Sequence, residues 1–427
     1  MSAGVRIRRL VAFALGIAMV VGACSGGSQA TSSGPVTLHA LFMKQAGYSD
    51  ADVKAMTNDF MAAHPNIKVE TEFVAYEALH DKIVTDQVGG SGQYDVVLMD
   101  AIWPAELAKS GIALDLTDKI PADYKSGVFD TAFAGAEYQN KFYGIPWLND
   151  TEFLYYNKDM LAKAGFNAPP KTWDELMAQA RVLKQKGIVK YPFVSQWAQS
   201  EAVICDWVTM AGGLGGANFT DAQGKPTFNT GGPLKALELM KQMMDEGIAN
   251  PAALSFAADD VRNTLTAGQA AFGVMWTYVW QAANDPAQSK VVGQIGIAPG
   301  PGGDGATAAG VNGGMSLAIT RSSKHADEAL QYALYLASQP VQEKYTKDAL
   351  PMWKSSFDKQ ELTKQAPELY AAAKVAFGTM VNRPVVPYYT ALSNALQVAI
   401  QKALTGQMTP KAALDGVAAQ VPSLESQ

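Results

Sequence analysis

The 427-residue chain carries a formal net charge of −6, is 48% hydrophobic and holds 2 cysteines. With no basic run after its first residues, it lacks the electrostatic footprint of a nucleic-acid binder and has no charged patch to hold a folded surface on anionic lipid. So few cysteines exclude a disulfide framework, while the apolar share is sufficient for large cores.

Arg6, Arg8 and Arg9 make a positive start, Leu10 to Gly22 is an apolar run too short to span a bilayer comfortably, and small residues precede Cys24. Residues 1–23 therefore read as a signal peptide. The VGAC run ending at Cys24 resembles a bacterial lipoprotein processing box, although Val21 stands where leucine is commoner. That resemblance implies lipidation of Cys24 and a membrane anchor. Cys205 lies in an apolar helical pattern and is expected to be buried. The Ser- and Gly-rich stretch that completes residues 24–35 reads as a flexible tether. Roughly 390 residues then remain, which calls for two domains.

Val36 to Met43 alternates as a first strand, followed by helical spacing over Ala51 to Ala63, a strand at Ile67 to Phe73 and a helix at Glu77 to Val88. DVVLM at 95–99 has the short apolar look of a buried parallel strand. Asp100 and Trp103 follow it directly, at the carboxyl end where open α/β sheets bind ligands; Asp100 could equally cap the helix from Pro104 to Lys109. The segment KFYGIPWLNDTEFLYYNK at 141–158 concentrates aromatic and polar groups in a turn, then a strand at Glu152 to Tyr156 ended by Asn157. Trp147, Asn149, Asp150 and Thr151 are candidate ligand contacts there, or else cover for a sheet edge.

Thr172 and Glu175 have capping-box spacing before a helix over Trp173 to Lys186, and Tyr191 to Ser195 reads as a strand leading to Trp197. A helix over Ala202 to Met210 is expected to stop at Gly212 to Gly216, with Glu201 at its start as a cleft acid or a solvated one. Those glycines form no phosphate cradle, since no Lys-Ser or Lys-Thr pair follows. Asp221 to Phe228 reads as a hairpin, with helices over Pro233 to Glu246 and Asp259 to Ala267 after it. The strand Ala271 to Met275 runs straight into Trp276, Tyr278 and Trp280, placed either as core cover or as a stacking wall. Strands at Val291 to Pro299 and Met315 to Ile319 flank a glycine-rich crossing and Gly313-Gly314. Helices at Lys324 to Ser338 and Leu392 to Leu404 bracket Arg383. The alternation of strands and helices predicts an α/β chain built by crossovers.

DVVLMDAIWPAELAKSGIALDLTD, YGIPW followed by LYYNKDML, PPKTWDEL, NGGMSLAITRSSKHADEAL and the late TGQMTPKAAL, in this order and spacing, resemble the bacterial extracellular solute-binding proteins of the sugar-binding class, receptors of ABC importers. The resemblance covers essentially the whole mature chain. It implies an α/β, two-lobe periplasmic-binding-protein fold with discontinuous lobes, a hinge and an interlobe cleft. One lobe would hold 36–150 and 310–351, the other 151–309 and 352–427. By the same resemblance the residues after DVVLM and after AFGVM line the cleft, with the Gly313-Gly314 backbone, and a late cleft arginine maps onto Arg383, whose fork of donors could grip vicinal hydroxyls. The commoner gly-ser-trp pattern after AFGVM is replaced here by Trp276-Thr277-Tyr278-Val279-Trp280, leaving open which indole faces a sugar.

Sugar C–H faces stack on flat rings, and sugar hydroxyls both donate and accept. Trp103, Trp147, Trp197, Trp276, Tyr278 and Trp280 are possible walls; Asp100, Asn149, Asp150, Thr151, Glu201 and Arg383 are possible rim partners. Trp173 and Trp207 are assigned to packing. The implied partners are a carbohydrate ligand, ABC permease subunits and the membrane through the lipid anchor; the receptor is expected to be exported and monomeric, without cofactor. A sensing or adhesion receptor, or an exported carbohydrate-acting enzyme using Asp100, Asp150 and Glu201, stays as an alternative. His39, His64, His80 and His325 lack metal-site spacing, and no Gly-x-Ser-x-Gly elbow occurs.

Overall fold

The alternation from Val36 onward forms β1 (Val36–Met43), in which Val36, Leu38 and Ala40 are buried while Thr37 and His39 face solvent. β2 (Ile67–Val74) pairs with it in parallel, Val36 opposite Ile67. β3 (Val96–Asp100) lies on the other side of β1 and is buried along its whole length, as its unbroken apolar run requires of a strand covered on both faces. The computed structural model describes residues 34–44, 47–216, 219–221, 225–303, 310–346 and 349–426. The proposed leader and Cys24 lie outside the described residues, as does most of the tether.

β4 (Glu137–Tyr138) and β5 (Lys141–Phe142) form a hairpin whose turn residues Gln139 and Asn140 have φ of 50° and 60°, the left-handed values that a two-residue hairpin turn demands. β6 (Ile145–Leu148) and β7 (Phe153–Asn157) follow, then β8 (Phe193–Val194), β9 (Phe272–Met275), β10 (Ile295–Pro299) and β11 (Met315–Ile319). Two main sheets result. One has the order β2-β1-β3-β11-β6, parallel through its first three strands and antiparallel at β11; the other has the order β10-β7-β9-β8. β11 enters the first sheet from late in the chain, and β7 begins the second immediately after β6 ends the first. The first lobe is thus discontinuous in sequence, and the second adds to its consecutive strands the late helix Tyr389–Leu404, which packs into its core.

A core around the first sheet contains Phe42, Phe60, Tyr332 and Trp147. The second lobe packs Trp173, Trp197 and Trp207 on one side of its sheet. The other side carries Phe153, Tyr155 and Ile295 against the helix Pro367–Ala376. Cys205 is buried and free in the second lobe.

Local signals held where local physics decides. Thr172 Oγ1 accepts from the Glu175 amide at 3.1 Å, starting the helix Trp173–Gln185; the Glu175 carboxylate reaches the Lys171 amide rather than that of Thr172. Asn157 both ends β7 and caps the helix Lys158–Ala164. Two expectations need correction. The strand expected over Tyr191 to Ser195 shrinks to the two residues of β8, at the sheet edge. The strand expected over Val291 to Pro299 begins only at Ile295, whereas the helix Glu201–Gly213 ends within Gly212 to Gly216 as expected, and a Cβ on Gly213 would collide with the Pro301 carbonyl and the Trp173 indole.

The lobes are joined where three crossings lie side by side. Thr151 bridges Asn312, and Val311 bridges Val381. The Gly313 amide donates to the Asp150 carbonyl at 2.9 Å and the Asn312 amide to the Val381 carbonyl at 2.8 Å. Gly310 leaves no room for a side chain, since a Cβ there would meet Thr151 Oγ1.

Candidate functional site

At the carboxyl end of β3, Asp100 does not cap the helix Pro104–Lys109; Trp103 occupies the cap position, without a side-chain bond. The Asp100 carboxylate instead accepts from Arg383 Nη2 at 2.8 Å, from the Tyr76 hydroxyl at 2.9 Å and from the Ile102 amide at 3.2 Å. Arg383 Nη1 donates to Glu201 Oε1 at 2.8 Å. Glu201 begins the helix Glu201–Gly213 of the second lobe and also accepts from the hydroxyls of Tyr389 (2.5 Å) and Ser393. One guanidinium therefore joins a carboxylate of each lobe, and Arg383 and Asp100 are only 4% and 3% exposed. Such burial is tolerable because each charge has an opposite partner and further hydrogen bonds. Burial, reinforced by Asp100 at Tyr76 and by Glu201 at Tyr389, raises both phenols' pKa, so they stay protonated donors.

The hinge supplies a second cluster. Asp150 accepts from the Thr151 amide at 2.8 Å and from the Thr277 hydroxyl, tying the first crossing to the segment after β9. Burial lifts its carboxyl to about 6, although the Thr277 and Thr151 bonds pull the other way. Trp276, half-buried, lies over Gly313, where a Cβ would fall within the indole ring. Its carbonyl accepts from the Tyr155 hydroxyl at 2.8 Å. Across the gap in the first lobe, Trp103 stacks on Tyr76 with ring centroids 6.0 Å apart.

Behind the hinge sits a pair of acids that sequence reasoning missed. Glu152 Oε1 and Asp206 Oδ1 take hydrogen bonds from the same Gln196 amide nitrogen, at 3.1 and 3.3 Å. Thr209 Oγ1 donates to Glu152 and accepts from the Val311 amide of the second crossing; Ser195 donates to Asp206. Both acids are fully buried and neither has an ion-pair partner among the described residues. Burial, and then the neighbouring Asp206, raises the Glu152 carboxyl well above its usual range; burial also raises Asp206. Burial beside a second acid thus favours the protonated form of Glu152.

The sequence model of the bacterial extracellular solute-binding proteins matches residues 45–343. This chain belongs to the bacterial extracellular solute-binding proteins. A probable ABC transporter-binding protein of Deinococcus radiodurans is 29% identical over 370 residues, covering 84% of this chain and 86% of the relative. Among solved structures, maltose-bound MalE3 of T. maritima superposes with a TM-score of 0.82 at 27% identity, covering 91% of this chain and 100% of that one. A solute-binding protein of Agrobacterium radiobacter in complex with ribitol gives 0.81 at 26%, covering 92% and 99%.

In this solute-binding protein, Asp100, Glu201 and Arg383 meet where the two lobes touch. Asp150, Thr151, Gly313, Gly314 and Trp276 meet at the hinge beside it, where Gly314 donates to Asn312 at 2.9 Å and Arg383 reaches the Asn312 carbonyl at 3.4 Å. Tyr278 and Trp280 are half-buried on the same post-β9 segment. Asn149 is buried with its oxygen 3.4 Å from the Thr131 hydroxyl. Trp103, 4% exposed, belongs to the first core and not to an open wall, and two more of the expected walls are corrected. Trp147 packs into the first core against Phe42 and Tyr48, and Trp197 into the second against Phe193; both are fully buried, because β6 and the turn after β8 send those side chains inward. Arg383 is corrected too: both ends of its fork are occupied by protein carboxylates. Sequence reasoning passed over Tyr76, Tyr389, Ser393 and Thr277. Tyr76 and Tyr389 sit in the first turn of a helix, and their only signal was a phenol at such a position.

Proposed function

We propose that the protein captures a mono- or oligosaccharide, or a polyol, between its lobes and hands it to the permease of an ABC importer. The observation that carries this reading is the single buried network by which Asp100 of one lobe and Glu201 of the other are joined through Arg383. Groups from both lobes converge there, beside the half-buried Trp276, so a ligand touching both favours the closed arrangement that a permease would recognise. The maltose and ribitol complexes of the similar proteins support polyhydroxylated ligands.

In this reading 36–150 with 310–351 act as one lobe and 151–309 with 352–427 as the other. The chain acts as a monomer tethered through a lipidated Cys24 at the outer face of the membrane. We read it as a receptor and not a glycosidase, since Asp100 and Glu201 are both tied to one guanidinium, whereas glycoside hydrolysis needs two carboxyl groups facing each other across the bond. A thermal-shift panel of mono-, disaccharides and polyols tests it, since a ligand of the folded state raises the melting temperature. A panel in which no member shifts the transition refutes it. Loss of radiolabelled palmitate from the Cys24→Ala protein tests the anchor.

A further inference from the structure

We infer that the cleft selects by charge: it accepts neutral hydroxyl-bearing or cationic amino-bearing ligands and turns away their carboxylate- and phosphate-bearing counterparts. This rests on the sugar-receptor reading and adds to it a class of solute that is refused.

The argument begins with the donors of Arg383. Nη1 serves Glu201, and Nη2 serves Asp100 and the Asn312 carbonyl. Three of its five N–H groups are thus used, both of those on Nη2 among them, so that of the rest Nε, buried and without a partner among the described residues, and one N–H of Nη1 point in different directions and form no parallel pair. A guanidinium grips an anion through two parallel N–H groups, and here those directions are spent on the protein's own acids. An anionic ligand could claim them only by displacing Asp100 or Glu201, which would leave a buried carboxylate uncompensated.

The field has the same sign. Asp100, Glu201 and, at the adjoining hinge, Asp150 stand against one guanidinium. Arg383 is the sole ion-pair partner recorded for Asp100 and Glu201 among the described residues. Arg262, near Tyr278, is already paired with Asp259 at 2.9 Å. A hydroxyl fits this surplus of acceptors because it donates to a carboxylate and still offers a lone pair to Nε. An ammonium fits because it donates only. A ligand carboxylate or phosphate brings acceptors and like charge, and like-charge juxtaposition costs several kcal/mol.

The test is calorimetry at neutral pH on the mature chain with four matched probes, D-glucose, D-glucosamine, D-glucuronate and D-glucose 6-phosphate, repeated in the galactose and mannose series. Within a series whose neutral member binds, the amino sugar is expected to match or exceed it, and the uronate and phosphate to bind at least about a hundredfold more weakly. Glu201→Gln keeps shape and most hydrogen bonds while removing one charge, and is expected to narrow the neutral-to-uronate ratio at least about tenfold; Asp100→Asn serves if that variant fails to fold. A uronate within about tenfold of its neutral parent, or a ratio unmoved by both variants, overturns the inference while leaving the receptor reading intact. No binding in any series together with an unshifted panel of mono-, disaccharides and polyols removes both, and a panel ligand outside these series is compared with its own amino, carboxylate and phosphate analogues by the same criterion.

Discussion

Replacing Arg383 by methionine keeps much of the side chain's length and deletes its charge. Asp100 and Glu201 would then face each other across the gap with no cation between them, each still holding its hydroxyl donors. Breaking a buried ion pair by removing one partner costs about 3–5 kcal/mol. Here the two stranded carboxylates belong to different lobes, so parting the lobes returns both to water and relieves the penalty without unfolding either core. The cost falls on closure. If about 3 kcal/mol is charged to that step, the closing equilibrium drops by roughly 150-fold, and the apparent ligand affinity drops with the closed fraction. Small-angle scattering should show a larger radius of gyration than the native chain, calorimetry a weakened ligand, and thermal melts a modest shift. Adding Asp100→Asn and Glu201→Gln to Arg383→Met removes the stranded charges and should restore the native radius. An unchanged scattering profile and affinity in Arg383→Met, or a triple variant as open as the single one, would refute the reasoning.

Glu152→Gln tests the proton held on that buried acid. Because the Glu152 carboxyl is raised in the folded chain, the folded state holds a proton that the unfolded chain releases above its ordinary 4.5. Its stabilisation is complete below that pH and is lost as pH rises toward the folded value. Thermal melts from about pH 5 to 8 should therefore decline less steeply for Glu152→Gln than for the native chain, and parallel curves would contradict the pairing. Trp197→Ala should lower stability by about 3–5 kcal/mol in denaturant titrations. Trp276→Ala, at a half-buried ring, should instead weaken ligand binding more than it lowers stability; the reverse order would show the two indoles misassigned. Gly313→Ala drives a methyl group into the space of the Trp276 ring, so calorimetry should find binding weakened while the circular dichroism spectrum stays native.

Much of the secondary structure was legible because period and capping are local. The β2 alternation ran from Ile67 as read, the helix Pro104–Lys109 matched its expected ends, and β11 matched Met315 to Ile319. Failures came where a distant segment decides. The strand expected from Val291 begins only at Ile295, where its pairing with β7 starts. Trp147, Trp197 and Trp276 are the same residue type, each in or near a strand, and nothing in their neighbours' names says which two turn into a core. Glu152 and Asp206 were unremarkable in sequence because an acid's meaning depends on what surrounds it.

By itself the order of residues determined the α/β alternation and the places where strands end and helices start, since each arises from neighbours within a few turns of backbone, and the family resemblance, which arises from the order of short motifs along the chain. Only the tertiary structure decided that Arg383 is a bridge and not a free clamp. Its partners Asp100 and Glu201 lie 283 and 182 residues away. Whether a guanidinium's donors are spent or free is a property of the space that three crossings and two lobes close around it.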